Sequence, residues 1–176
     1  MVVSSKSLAL VALLPFVTAC GGTDEAAAVA VTVTATDAKG LVAWLEQQRG
    51  KPVLVNFWAT WCAPCLAELP DLMAGTRAFR DRGGIVVGVA MEQMALELTD
   101  EEAVAKAVAK ANELRLDFAN FVCTDDDMIA VREILGVELG GLPQTIVYDR
   151  SGKLVEHHEG MATADEFTAL AAAGER

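Results

Sequence analysis

Two cysteines separated by two residues are the clearest sign of chemistry in this chain of 176 residues. Cys62 and Cys65 follow a short apolar run, residues 52–58, which reads PVLVNFW. Such a β-branched and aromatic run predicts a buried strand. After Cys65, apolar residues recur at helical spacing, at Leu66, Leu69, Leu72 and Met73. The pattern therefore predicts a strand that delivers both cysteines to the first turn of a helix.

The start of a helix favours negative charge, because its first backbone N–H groups are unpaired and its dipole is positive there. A fall in a thiol pKa from ~8.5 to ~7 raises the thiolate fraction at pH 7 from ~3% to ~50%. Cys62 is therefore the predicted nucleophile, and Cys65 the buried resolving thiol that closes a redox-active Cys62–Cys65 disulfide. A purely structural disulfide and half of a metal site are the alternatives.

The other possible metal ligands do not complete a zinc site. Cys20, Cys123 and the adjacent His157 and His158 lack the spacing that a second half-site requires. We therefore predict no metal and no cofactor. Cys123 is interpreted as a small buried hydrophobe, and a resolving role toward Cys62 is the alternative.

The segment around the cysteines resembles the active site of thioredoxin-like proteins. Residues 56–65 read NFWATWCAPC, and the continuation CLAELP at residues 65–70 is similar to the extracytoplasmic TlpA/ResA-like branch. Residues 141–145, GLPQT, match the family loop whose cis-proline faces the cysteines. The resemblance extends over most of the chain, from residue 33 to residue 172.

This resemblance implies supporting roles for three residues near the cysteines. Pro143 is the expected cis-proline, in a loop that offers backbone groups to a substrate strand. Pro64 is expected to keep the turn tight and to limit access to Cys65. Trp61 abuts Cys62, so it is a candidate substrate platform as well as a packing residue.

Proton transfer to Cys65 needs a route that differs from that of cytoplasmic thioredoxin. Asn56 stands where that protein carries a buried aspartate, and Glu68 resembles an acid of the TlpA/ResA-like pattern. Glu68 is therefore the candidate proton carrier, with an ordinary solvated helix residue as the alternative. Asn56 and Ala63 are expected to leave Cys62 itself without a nearby acid.

The order of elements predicts an α/β fold, written β-α-β-α-β-β-α. This is a thioredoxin-like three-layer sandwich with a mixed central sheet, in which a right-handed crossover brings the cysteines to the carboxyl end of the central strand. The expected elements include an edge strand at residues 29–34, one helix from residue 62 to about 82 bent at Pro70, and a helix over residues 126–135.

The first residues have the character of a targeting segment. Lys6 precedes an apolar run at residues 8–17, which is shorter than the ~20 residues that a membrane span needs. Residues 17–20, VTAC, resemble a bacterial lipobox with lipid on Cys20, and a plain signal peptide is the alternative. We predict a signal peptide at residues 1–19, a tether at residues 20–32 and a thioredoxin-like domain at residues 33–176.

These features predict a lipid-anchored thiol:disulfide oxidoreductase in the periplasm or on the outer face of the cell membrane. Its partners are protein thiols and disulfides, the membrane, and a membrane or periplasmic electron donor, and the resemblance implies a reductant, for example in cytochrome c maturation. The net charge of −11 argues against nucleic acid. The alternatives are a peroxiredoxin-like thiol peroxidase, although no proline precedes Cys62 at that branch's position, and a redox-inactive scaffold or thiol-based metal chaperone.

Overall fold

The computed structural model describes residues 31–125, 128–137 and 140–176. Six strands form one sheet: β1 (Val33–Thr36), β2 (Val53–Trp58), β3 (Ile85–Ala90), β4 (Ala119–Cys123), β5 (Gln144–Tyr148) and β6 (Leu154–Glu159). Six helices surround it: α1 (Ala38–Gln47), α2 (Ala63–Gly75), α3 (Arg77–Asp81), α4 (Asp100–Glu113), α5 (Met128–Leu135) and α6 (Ala164–Gly174). The predicted α/β class and the mixed sheet are confirmed.

The strands lie side by side in the order β1-β4-β3-β2-β5-β6. The first four are parallel, whereas β5 is antiparallel to β2 and β6 is antiparallel to β5. Since β2 is central, both of its faces are covered and all six of its residues are buried. The uninterrupted apolar run before the cysteines therefore reflects a strand packed on both sides.

Helices cover the two faces of the sheet and create two apolar layers. One layer contains Cys62 and Cys65 and packs side chains of α2 and α6 against the sheet, among them Leu69, Leu72 and Phe167. The other layer packs α1 and α5 against the opposite face, through residues such as Leu41 and Val131. The site therefore belongs to the layer that α2 and α6 form.

The helix after the cysteines is shorter than predicted. The expected single helix to about residue 82 is wrong, because α2 ends at Gly75 and α3 begins at Arg77. At the break, the Gly75 carbonyl accepts a hydrogen bond from the Thr168 hydroxyl of α6, at 3.0 Å. A Cβ atom on Gly75 would collide with the Ala164 carbonyl, so α6 crosses closely at this point. Pro70 lies inside α2 as predicted.

One other boundary differs from the prediction. The predicted edge strand at residues 29–34 is found at the sheet edge, but it spans Val33–Thr36. The helix predicted for residues 126–135 is described over Met128–Leu135, and residues 126 and 127 lie outside the described residues. The predicted signal peptide, Cys20 and most of the tether lie outside the described residues. Within the described ranges, no helix has both the length and the hydropathy that crossing a bilayer requires.

Candidate active site

Cys62 and Cys65 form a disulfide at the amino-terminal end of α2, with Cα atoms 5.3 Å apart. Cys62 is the N-cap residue, and its sulfur accepts a hydrogen bond from the backbone N–H of Cys65, at 3.3 Å. Cys62 retains 5% of its accessible surface, whereas Cys65 retains none. Of the two cysteines, Cys62 is therefore the one that has surface open to a reactant from solvent.

The first turn of α2 supplies the electrostatic setting of Cys62. Pro64 lies in that turn, where its missing N–H removes no helical hydrogen bond. The turn carries no acidic side chain that would oppose a thiolate. Backbone N–H groups and the helix dipole therefore act on Cys62 without a competing charge from the turn itself.

The peptide bond between Leu142 and Pro143 is cis, as predicted. Pro143 directly precedes β5, whose first residue, Gln144, pairs with Phe57 near the end of β2. Because β2 leads into the cysteine loop, the two loops emerge at the same end of the sheet. The Pro143 carbonyl accepts a hydrogen bond from the N–H of Gly160, at 3.0 Å, which ties this loop to the segment after β6.

Glu68 lies in the core, with 1% of its surface exposed, so it is not a solvated helix residue. One carboxylate oxygen accepts a hydrogen bond from Asn56 Nδ2 at 2.9 Å, and the other accepts one from the backbone N–H of Ala162 at 3.0 Å. Desolvation raises the pKa of Glu68 above the ordinary value, and these two hydrogen bonds oppose the rise. Glu68 therefore holds a proton more readily than an exposed glutamate does.

Asn56 connects Glu68 to the sheet. Its Nδ2 also contacts Thr145 Oγ1, at 3.1 Å, and the two residues are register partners on β2 and β5. The amide cannot change its charge, so it can orient a carboxylate but cannot store a proton. Among the groups described around Cys65, Glu68 is therefore the one that can carry protons.

A second buried carboxylate, Glu92, holds the loop before Cys62. The backbone N–H and the hydroxyl of Thr60 both donate to this carboxylate, at 2.7 and 2.6 Å. The indole N–H of Trp61 donates to the Glu92 backbone carbonyl, at 3.1 Å. Glu92 is fully buried. Glu92 is therefore an acid that the sequence analysis did not identify, and its carboxylate binds the residue two positions before Cys62.

Sequence reasoning missed Glu92, although a usable signal existed. An acid two residues beyond a buried parallel strand lies at the same sheet edge as the end of the neighbouring strand. Here β3 ends at Ala90 and pairs with the end of β2 at Trp58. That pairing brings residue 92 beside the cysteine loop.

Two large hydrophobic side chains remain exposed in the part of the chain that the structure describes, Trp61 at 38% and Met161 at 54%. Trp61 directly precedes Cys62. Met161 precedes Ala162, whose N–H binds Glu68. Both side chains therefore belong to segments that contact the site, and together they give its surroundings an apolar surface.

Cys123 is separate from this site. It is buried in the layer that α1 and α5 cover, on the sheet face opposite to the cysteine pair. Burial raises the pKa of its thiol to about 11. This placement is that of a packing residue and gives no support to a resolving role toward Cys62. Within the described ranges, no group of three or more potential metal ligands comes together.

We expect Glu92→Ala to lower the free energy of unfolding by about 1–3 kcal/mol, because it leaves the partly buried Thr60 N–H without an acceptor. Urea unfolding of the oxidised protein measures this change. Glu97→Ala is the matched control, since Glu97 follows on the same loop but is exposed, and its effect should stay within about 0.5 kcal/mol. Equal effects of the two substitutions would show that the hydrogen bonds from Thr60 to the Glu92 carboxylate do not stabilise the fold.

The raised pKa of Glu68 predicts a pH-dependent stability. The native protein holds this proton more tightly than the unfolded chain, so stability is lost as pH rises from about the ordinary glutamate value of 4.5 to the native pKa. The free energy of unfolding of the wild type, relative to Glu68→Gln, should therefore fall across this interval and then level off. A difference that rises with pH would show that the carboxylate is favoured in the native state.

Comparisons with known proteins agree with this architecture. The model of the AhpC/TSA family matches residues 26–157. A thiol-disulfide oxidoreductase ResA of Bacillus cereus is 29% identical over 133 residues, which cover 75% of this chain and 68% of that protein. Thioredoxin-like protein YneN of Bacillus subtilis is 30% identical over 124 residues, covering 70% of this chain and 65% of that protein.

Solved structures of similar proteins share the fold. A thiol:disulfide interchange protein from Bacteroides sp. has a TM-score of 0.55 and 29% identity, covering 71% of this chain and 74% of that one. The exposed lipoprotein thioredoxin Etrx1 from Streptococcus pneumoniae has a TM-score of 0.55 and 25% identity, covering 73% and 88%. The predicted resemblance to ResA-like proteins is thus confirmed. Because the family model covers well over half of its residues, the chain belongs to the AhpC/TSA family, in a thioredoxin-like form.

Proposed function

We propose that this protein is an extracytoplasmic thiol:disulfide oxidoreductase that reduces disulfides in other proteins with the Cys62–Cys65 dithiol. The observation that carries this proposal is the disulfide at the start of α2, in which Cys62 keeps some accessible surface and Cys65 keeps none. The relatives named as thiol-disulfide oxidoreductases support the same class of reaction.

The first step is attack on the client. In the reduced protein, the Cys62 thiolate is stabilised by the N–H groups at the start of α2, and it attacks one sulfur of the client disulfide. A mixed disulfide forms between Cys62 and the client, and the second client sulfur leaves as a thiolate. Trp61 and Met161 supply apolar contacts for the client segment, and the loop at Pro143 supplies backbone groups.

The second step releases the client. Cys65 gives its proton to the Glu68 carboxylate, one helical turn further along α2, and the Cys65 thiolate then attacks the Cys62 sulfur. The Cys62–Cys65 disulfide forms, and the remaining client sulfur leaves as a thiolate. Two electrons have passed to the client, and the donor that restores the dithiol must return two. Glu68 suits this role because its raised pKa brings it closer to that of a thiol.

The proposed location rests on the amino-terminal residues and on relatives. Residues 17–20 have the lipobox pattern, and the neighbour from Streptococcus pneumoniae is described as an exposed lipoprotein. Lipid on Cys20 would hold the domain at the membrane surface through the tether at residues 20–32. Clients close to that surface, such as apocytochrome c, and a membrane or periplasmic electron donor fit this position.

We expect Cys62→Ser to abolish reduction of insulin disulfides, since it removes the attacking thiolate. Cys65→Ser should instead leave a mixed disulfide with the client, because the resolving thiol is missing. Turbidity measures the first effect, and non-reducing electrophoresis with mass spectrometry detects the second. Cys123→Ser is the matched control and should keep full activity.

Full activity of Cys62→Ser would contradict the proposed reaction. A wild-type protein that consumes hydrogen peroxide rapidly but leaves insulin intact would favour the thiol peroxidase instead. A Cys62–Cys65 pair that reacts with neither substrate would favour the scaffold or metal chaperone.

The proposed anchor predicts that the protein partitions into the membrane fraction and that Cys20 carries lipid. Two or more acyl chains hold a protein stably, whereas one holds it only marginally. Mass spectrometry of the amino-terminal peptide measures the modification, and Cys20→Ser should release the protein from the membrane. An amino-terminal peptide with an unmodified Cys20 thiol would contradict the anchor.

A further inference from the structure

One peptide group lies between Glu68 and a histidine. The N–H of Ala162 donates to Glu68 Oε2 at 3.0 Å, and the carbonyl of the same peptide group, that of Met161, contacts His158 Nε2 at 3.3 Å. A carbonyl can only accept, so His158 Nε2 is the donor here. The three groups therefore form a chain: the imidazole, the peptide group and the buried carboxylate.

The sheet brings His158 to this position. His158 on β6 is the register partner of Thr145 on β5, and Thr145 is the partner of Asn56 on β2. These three residues therefore lie in one row across the sheet face that α2 and α6 cover. Asn56 contacts Glu68 directly at the buried end of the row, and His158 is half-buried at the other end.

A protonated His158 acts on Glu68 in two ways. Its positive charge lies within two hydrogen bonds of the carboxylate and favours the ionised form. Its donation to the Met161 carbonyl also polarises the peptide group, so the Ala162 N–H becomes a stronger donor to Glu68. Loss of the His158 proton removes the positive charge and leaves a weaker donor, since a neutral imidazole with its hydrogen on Nε2 can still donate to Met161.

We propose that His158 is a positioning residue that couples its own protonation to that of Glu68 through the Met161–Ala162 peptide group. This inference deepens the proposed function, and it rests on Glu68 as the group that accepts the Cys65 proton. When His158 is a cation, Glu68 stays ionised to lower pH and can still accept that proton. The hydrogen bonds from His158 to Glu68 thereby extend to lower pH the range over which Cys65 can resolve the mixed disulfide.

Other charged groups also act on His158 and Glu68, and the experiment must separate their effects from the coupling. Glu156 on β6, Glu166 on α6 and Arg176, two residues beyond the end of α6, line the groove that contains His158. Asp71 on α2 acts on Glu68 and raises the pKa of its carboxyl. Glu156 and Glu166 are exposed, so added salt screens their effect on His158. The coupling between His158 and the buried Glu68 is screened much less.

The full-length protein allows a direct test by NMR, because it contains only two histidines. In His158→Gln the side-chain amide keeps a donor for Met161 but loses the charge. The ¹³C signal of the Glu68 carboxyl should then titrate about 0.5 pH unit or more above the wild type, also in 0.5 M salt. His157→Gln is the matched control, since His157 contacts Gln144 on the opposite sheet face.

The coupling must also appear in reverse, because linkage between two sites is reciprocal. In Glu68→Gln, the titration midpoint of His158 should move to lower pH by a similar amount, while that of His157 stays in place as an internal control. A Glu68 titration that is the same in wild type, His158→Gln and His157→Gln would overturn the proposal. An equal shift in both histidine variants would overturn it as well.

The rate of resolution gives a second readout that separates this proposal from the proposed function. Release of client from the mixed disulfide at pH 5.5 should fall in His158→Gln by up to about threefold, the largest factor that a shift of 0.5 pH unit gives, and stay unchanged at pH 8.5. Failure of wild type to reduce disulfides would refute the proposed function, whereas the NMR titrations would still decide the coupling. A rate loss of equal size at both pH values would indicate a structural role and overturn the coupling.

Discussion

The site depends on one buried carboxylate. Glu68 belongs to α2, yet its two oxygens bind a side chain of β2 and the backbone that leads into α6. Burial of a charged group costs several kcal/mol, which hydrogen bonds and proton uptake offset only in part. This cost arises where the cysteine helix, the central strand and the loop between β6 and α6 meet. The carboxylate therefore sets the relative placement of the three segments that carry the chemistry.

The sheet topology makes this meeting possible. The parallel strands β2 and β3 end together and place the cysteine loop beside Glu92. The antiparallel strand β5 begins next to the end of β2, which brings the loop of Pro143 to the same edge. Because β5 runs antiparallel to β2, the loop before β5 lies at the same end of the sheet as the loops after β2 and β3. Rigid strands hold these loops, so the positions of the reactive groups do not rely on the loops alone.

The sequence predicts the parts of the site that local patterns encode. The cysteine pair follows a recognisable strand and opens a recognisable helix, and the GLPQT loop identifies the cis-proline. The boundaries that tertiary contacts decide are less accessible. Gly75 is a weak local sign of the break between α2 and α3, and the contact found there is with Thr168, which lies 93 residues further along the chain. The burial of Glu68 likewise depends on Ala162, a residue whose type carries no sign of a hydrogen-bonding role.

The peptide group between Met161 and Ala162 has an evolutionary consequence. The Met161 side chain is exposed and is a proposed contact for clients, while the backbone of the same peptide group binds Glu68, the proposed proton carrier. Selection for a new client that reshapes this loop would therefore also disturb acid–base chemistry. Variation at Ala63 does not alter this loop, because Ala63 lies on the first turn of α2 and its side chain is exposed. Among descendants of this protein, diversification of client preference is thus expected to begin between the two cysteines, and the loop after β6 should change more slowly.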